Sequence, residues 1–332
     1  MKENKKHKGR RILIGILIGL VLFFCGVHCY FFIPVMDYMK NSEGTFTIPD
    51  TNHGFIAQGI SFDRESGEIY LTGYMKDGSA SPIYIVDRES GECTKKILMA
   101  KNDGSAFNGH CGGIAYLDGK IYIAGSSDYC VYEFDAKAIR NAENGASVAY
   151  TQALALDKGD NIKVAYLTVH NGLLYAGEFY RDSNYITDSK HYVETSTGTC
   201  HSYLVGFKVG DDGLEPVEVY STPDQIQGAV FSDKNIYLSS SYGVAFSKVY
   251  QYALDNLKPD GKCTVQGKEV PHYMLGDEAG ATYKLPPMAE EMELIDGKIY
   301  TMCESASNKY IFGKLLGAWK VYATDLKGFF GE

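Results

Sequence analysis

The stretch GIAYLDGKIY at 113–122 is written again as EMELIDGKIY at 291–300. Self-similarity at a distance is the signature of a fold built by stacking copies of one unit. The two stretches belong to a set of five: QGISFDRESGEIYLTG (58–73), GGIAYLDGKIYIAG (112–125), AYLTVHNGLLYAGE (165–178), QGAVFSDKNIYLSS (227–240) and EEMELIDGKIYTMC (290–303). Each reads as an apolar strand, a turn and a second strand carrying an aliphatic–Tyr pair. The tyrosines, Tyr70, Tyr122, Tyr175, Tyr237 and Tyr300, recur at intervals of 52, 53, 62 and 63 residues. The turns carry Asp-Gly, Asn-Gly, Ser-Gly or Asp-Lys-Asn, residues that tolerate the positive φ of tight hairpins.

A third strand follows each hairpin, at 82–89, 130–137, 203–210, 248–255 and 319–326, and the first unit shows a fourth at 93–100. Short antiparallel strands repeated in this way predict an all-β chain, a five-bladed β-propeller over 45–332. The last unit lacks an outer strand, and TFTIP (45–49) is a lone strand-like piece placed to supply it.

The N-terminus differs in kind. Residues 1–11 hold six Lys/Arg against one Glu, and the next 22 residues, 12–33, carry no formal charge. At about 1.5 Å per helical residue, that run is long enough for a bilayer core. It reads as one transmembrane signal anchor, with 1–11 a cytoplasmic basic tail, 34–44 a short stalk and the propeller an extracytoplasmic domain at the cell membrane. Of the net charge of −9, the first 11 residues contribute +5 and the rest −14. An acidic outer domain argues against nucleic acid as a partner. Six of the eight cysteines lie beyond the anchor, where disulfides are permitted but not fixed in connectivity.

In a propeller the inner strands all start on one face, and the loops joining second to third strands return to it. The aligned starts are Gln58-Gly59, Gly112-Gly113, Ala165-Tyr166, Gln227-Gly228 and Glu290-Glu291. Three of the second positions are Gly, as close backbone approach near an axis requires. Glu291 stands where those three blades keep no side chain, and Glu293 points the same way, deeper. Two acids there could act as general acid and base, hold a cation such as calcium, or bond to neighbouring backbone; mutual repulsion and burial would raise at least one pKa. The expected catalytic pair is Glu291 and Glu293. The expected ligand contacts are Gln58, Gln227 and Glu290 at the strand starts, Glu178 and Glu304 at second-strand ends, and His110, Arg181, Tyr242, Lys309 and Tyr310 on loops. No cofactor and no structural zinc site are expected; a structural or site cation such as calcium remains open. The motifs of serine hydrolases, phosphate loops, zinc proteases and EF-hands do not occur.

The segments AQGISFDRESGEIYLTGYMKDGS (57–79) and QGAVFSDKNIYLSSSYG (227–243) resemble the plant and bacterial type of glutaminyl cyclotransferase. That resemblance implies a five-bladed propeller and cyclisation of N-terminal glutamine. The second blade departs from the family, reading CGGIAY where the family begins Glu-Gly, and Trp319 is the only Trp. The chain also resembles secreted and membrane-anchored bacterial propellers, which implies architecture but no reaction. The leading expectation is a module that binds a small molecule, peptide or envelope protein on the strand-start face. The alternatives are an enzyme with Glu291 as general base, of the cyclase or hydrolase kind, and an envelope scaffold.

Overall fold

Each repeated hairpin forms the two inner strands of a blade, because alternating apolar side chains bury both faces of a sheet wedged between two others. The computed structural model describes residues 2–196, 198–276, 280–310 and 318–332. The inner strands are Phe55–Asp63, Cys111–Leu117, Val164–His170, Ile226–Phe231 and Ala289–Ile295. Each packs on the next, and the fifth packs on the first, so the ring closes. Three hairpin turns, at Asp118-Gly119, Asn171-Gly172 and Asp296-Gly297, have positive φ at both central residues, the geometry whose twist matches the strands.

The third strands are Pro82–Asp87, Cys130–Asp135, Ser202–Gly210, Ser247–Ala253 and Lys320–Asp325. Ser42–Thr47 pairs antiparallel with Lys320–Asp325, so the chain start completes the fifth blade, as 45–49 predicts. Five apolar clusters hold the blades together, one between each neighbouring pair. The repeated Tyr belongs to these clusters. In four blades its ring is buried while its hydroxyl donates to a carboxylate: Glu68, Glu133, Glu218 or Glu332.

Among the described residues, two additions at blade edges escape the repeat. Ser147–Ala149 adds in parallel to Cys93–Ala100 at the edge of the first blade. A hairpin, Lys262–Val265 with Lys268–Met274, adds in parallel to Gly213–Thr222 of the third. Parallel partners so far apart in sequence leave no local signal.

The N-terminal helix runs Lys2–Phe32 and continues through a 3-10 turn, Ile33–Val35, into a short helix, Met36–Lys40. Its apolar stretch is long enough to cross a membrane and is unburied. The expected stalk at 34–44 is instead packed on the ring. Val35 and Tyr38 are each 2% exposed, and Tyr38 sits edge-on to Tyr322 and Phe329 at 6.3 and 5.7 Å. Tyr38→Ala should therefore cost about 3 kcal/mol, read by urea unfolding. Unchanged stability would mean that the segment is a free tether. None of the eight cysteines forms a disulfide.

Candidate functional site

The site begins with an irregularity shared by all five inner strands. Their pairing register slips at the same level: between Ala57 and Gly59, Cys111 and Ile114, Val164 and Tyr166, Ile226 and Gly228, and Ala289 and Met292. A bulge re-aims the residue it frees. Here it turns Gln58, Ala165, Gln227 and Glu290 into a cavity of about 670 Å³ at the mouth of the ring.

One position further on, Gly59, Gly113 and Gly228 converge on Glu291, which spans the ring. Its Oε2 accepts the backbone N–H of Ile60 (2.9 Å) and of Ile114 (3.0 Å), and its Oε1 accepts that of Leu167 (2.8 Å). One carboxyl from the fifth blade thus ties the first, second and third. The glycines make the room. A Cβ on Gly113 would lie 2.4 Å from Glu291 Oε1, one on Gly59 2.9 Å from Oε2, and one on Gly228 2.6 Å from the Glu291 Cα. Burial pushes the Glu291 carboxyl well up, and the three N–H donors pull against that rise. Both oxygens are engaged and the side chain is 0% exposed; it does not line the cavity.

Glu293 also stays off the cavity wall. Its Oε2 accepts from Ser61 Oγ at 3.3 Å. Burial pushes it up to about 7, against the pull of Arg64. The two acids expected as a catalytic pair are therefore aimed along the axis and not into the space that a ligand would fill.

The neighbouring acid has the opposite setting. Glu290 is 2% exposed, lines the cavity and has no hydrogen-bond partner among the described residues. Burial raises its carboxyl well above the ordinary range, and the charges of Glu304 and Glu291 add to the rise. Glu304, also in the wall, accepts at Oε1 from Tyr74 (3.1 Å) and Tyr310 (2.9 Å). Lys309 Nζ donates to Tyr74 Oη at 2.6 Å and lies over the rings of Tyr74 and Tyr310. Burial raises Glu304 too, against these partners. Two carboxyls sharing one low-dielectric space hold a proton between them or welcome a cation.

The cavity brings together most of the expected ligand contacts: Gln58, His110, Gln227, Tyr242, Glu290, Glu304, Lys309 and Tyr310. Arg181 stands at the rim, 4.0 Å from the Tyr242 ring centroid. Glu178 is elsewhere: its carboxylate holds His191 Nδ1 at 2.7 Å and the Tyr203 N–H at 3.1 Å, pinning the long 179–203 loop. Sequence reasoning did not single out Tyr74, Tyr129, Phe179 or Tyr185, which give the cavity an aromatic wall. Their signal was available, since all four lie in or beside second-to-third-strand loops. Of the fifth such loop, 304–319, residues 311–317 lie outside the described residues. No group of three or more His, Cys, Asp or Glu side chains among the described residues is placed to hold a metal ion.

The strand order and the closed ring define a five-bladed β-propeller with a cavity at its strand-start face and one N-terminal helix long enough to cross a membrane. No family model matches the chain, and no curated protein matches it. Among solved structures it is similar to the glutaminyl cyclase of Myxococcus xanthus, at 11% identity and a TM-score of 0.43 over 78% of this chain and 90% of that one. It is also similar to a luciferin-regenerating enzyme, at 14% identity and a TM-score of 0.46 over 84% and 94%. A third is the PQQ-bound aldose sugar dehydrogenase of Streptomyces coelicolor, at 13% identity and 0.46 over 85% and 95%.

Proposed function

We propose that the chain is a membrane-anchored recognition module whose central cavity binds a ligand through a protonated amine. The observation that carries this reading is Glu290: buried, lining the cavity, without a hydrogen-bond partner among the described residues. A buried acid that lacks a partner is costly unless it keeps a proton or meets a cation. An ammonium supplies both charge and donors, and the aromatic wall favours a cation over its ring faces. Glu291, with both oxygens held by backbone, is committed to the ring, so the chemistry of the cavity falls to Glu290 and Glu304. The basic residues before the helix argue for a cytoplasmic N-terminus and an outward-facing ring.

The test is a thermal-shift and calorimetric series on the full chain in detergent, with primary amines, quaternary amines and carboxylates as probes. Amines are expected to raise Tm and carboxylates to leave it unchanged. Glu290→Gln is expected to weaken amine binding at least tenfold, since a charge-assisted hydrogen bond contributes about 1.5–3 kcal/mol. Equal affinity in the variant, or a response to carboxylates alone, would remove the reading.

A further inference from the structure

The N-terminal helix packs on the ring, and its path sets the end from which its apolar stretch departs. The helix from Lys2 continues with little interruption to Lys40. At its end Asn41 lies against the face opposite the cavity, its carbonyl accepting the N–H of Asp325, the last residue of its strand. Ten residues earlier, Tyr30 and Phe31 lie against Phe246 at 6.4 and 6.1 Å. Phe246 follows Ser241, Tyr242 and Gly243, which line the cavity. The helix therefore climbs the outside of the ring and emerges at the cavity face. The unburied apolar residues before Tyr30 lie beyond that face.

A second observation is independent of the helix. From Ser42 onwards, the exposed large hydrophobic side chains among the described residues are Tyr185, Ile186, Tyr242, Val244 and Trp319. All five lie in second-to-third-strand loops, around the cavity mouth. Ile186 is 50% exposed and Val244 58%. A ring that clusters its exposed apolar and aromatic residues on one face presents an interfacial surface. The same rim carries cations held by aromatic rings: Arg181 over Tyr242, Lys309 over Tyr74 and Lys284 over Phe246.

We propose that the cavity mouth is seated on the bilayer that the helix crosses, and that the cavity takes the headgroup of an aminophospholipid. The ammonium meets Glu290 and Glu304, and the phosphate meets Lys309 and Arg181. The acyl chains stay in the leaflet among Ile186, Val244 and Trp319. A primary ammonium can donate hydrogen bonds to two carboxyls at once, whereas a trimethylated one cannot, so ethanolamine headgroups are favoured over choline. This inference rests on the amine-binding reading and on the helix crossing a membrane.

Trp319 is the only Trp in the chain, so its emission reports the rim alone. In nanodiscs holding the full chain, lipids brominated near the headgroup are expected to quench at least half of that emission. Alkaline extraction from vesicles serves as the control for membrane crossing. Protein that resists extraction but is not quenched would overturn the seating while leaving the anchor intact; protein that washes off would overturn both. In detergent, dihexanoyl phosphatidylethanolamine should bind at least tenfold tighter than dihexanoyl phosphatidylcholine, and Glu290→Gln should erase the preference. Equal affinity for the two, or a preference that survives Glu290→Gln, would overturn the headgroup assignment. Free phosphoethanolamine binding as tightly as the lipid would assign the cavity to a soluble amine, sinking the lipid source but not the amine reading.

Discussion

Glu291→Ala should cost the ring about 4 kcal/mol or more in denaturant unfolding, the largest effect expected of any single side chain near the mouth. The variant strands three buried backbone N–H groups, those of Ile60, Ile114 and Leu167. Each orphaned donor costs about 1–3 kcal/mol, and no water-accessible route replaces the lost acceptor at a fully buried position. Against a typical total stability of about 5–15 kcal/mol, the loss is a large fraction. Part of the penalty is a cavity, because Gly59, Gly113 and Gly228 were already emptied to admit this one carboxyl group. A loss below about 1 kcal/mol would mean that the three hydrogen bonds do not hold the blades together.

The second large effect is on pH dependence. Glu290 and Glu291 are raised well above the ordinary carboxyl range, chiefly by burial, and Glu293 is pushed up to about 7. Between the unfolded value near 4.5 and these raised values, the folded chain holds protons that the unfolded chain has released. Stability must then fall as pH rises. Two histidines oppose this at lower pH: half-buried His170 and buried His272 are depressed by their loss of solvent, so the unfolded chain takes up protons below about 6.5 that the folded one refuses. The clean window is therefore about pH 7.5–8.5, a full unit above the unfolded histidine value, where these histidines are almost wholly neutral in both states. Across it the unliganded protein should lose at least about 1 kcal/mol, measured by unfolding at fixed ionic strength. Glu290→Gln should return part of that loss, because an amide has no proton to surrender. A saturating amine should flatten the slope by taking the proton's place. Stability that is flat or rises over this window would contradict the assignment of raised carboxyls to the mouth.

Much of the ring was legible because its rules are local. Asp118-Gly119, Asn171-Gly172 and Asp296-Gly297 announce their hairpins through backbone preference alone, and the repeated Tyr marks the strand that fills each inter-blade seam. The closing strand was legible by subtraction, since the fifth blade lacked an outer partner. The strands that pair in parallel across long separations, Ser147–Ala149 and Lys268–Met274, were not legible. Nor was the packing of Tyr38, which depends on where Tyr322 and Phe329 arrive.

The site was legible in outline, with one role left open. The pattern of Gly59, Gly113 and Gly228 against Glu291 was visible, and it left acid–base chemistry, a cation and bonding to neighbouring backbone all open. The third of these holds for Glu291: the glycines open the way for its carboxyl group to reach the backbone of other blades. What sequence could not supply was the bulge, which rotates Glu290 into the cavity and leaves Glu291 on the axis. Two adjacent residues of one type then take opposite work, and only the strand register distinguishes them.

That division of labour is most directly tested by one comparison: the unfolding free energies of Glu290→Ala and Glu291→Ala, measured side by side at pH 7.5. The account predicts that Glu291→Ala is the less stable by at least about 3 kcal/mol, with Glu290→Ala within about 1 kcal/mol of the unsubstituted chain. Equal losses, or a larger loss at Glu290, would show that the axis is not held by Glu291 and that Glu290 is not free to serve a ligand.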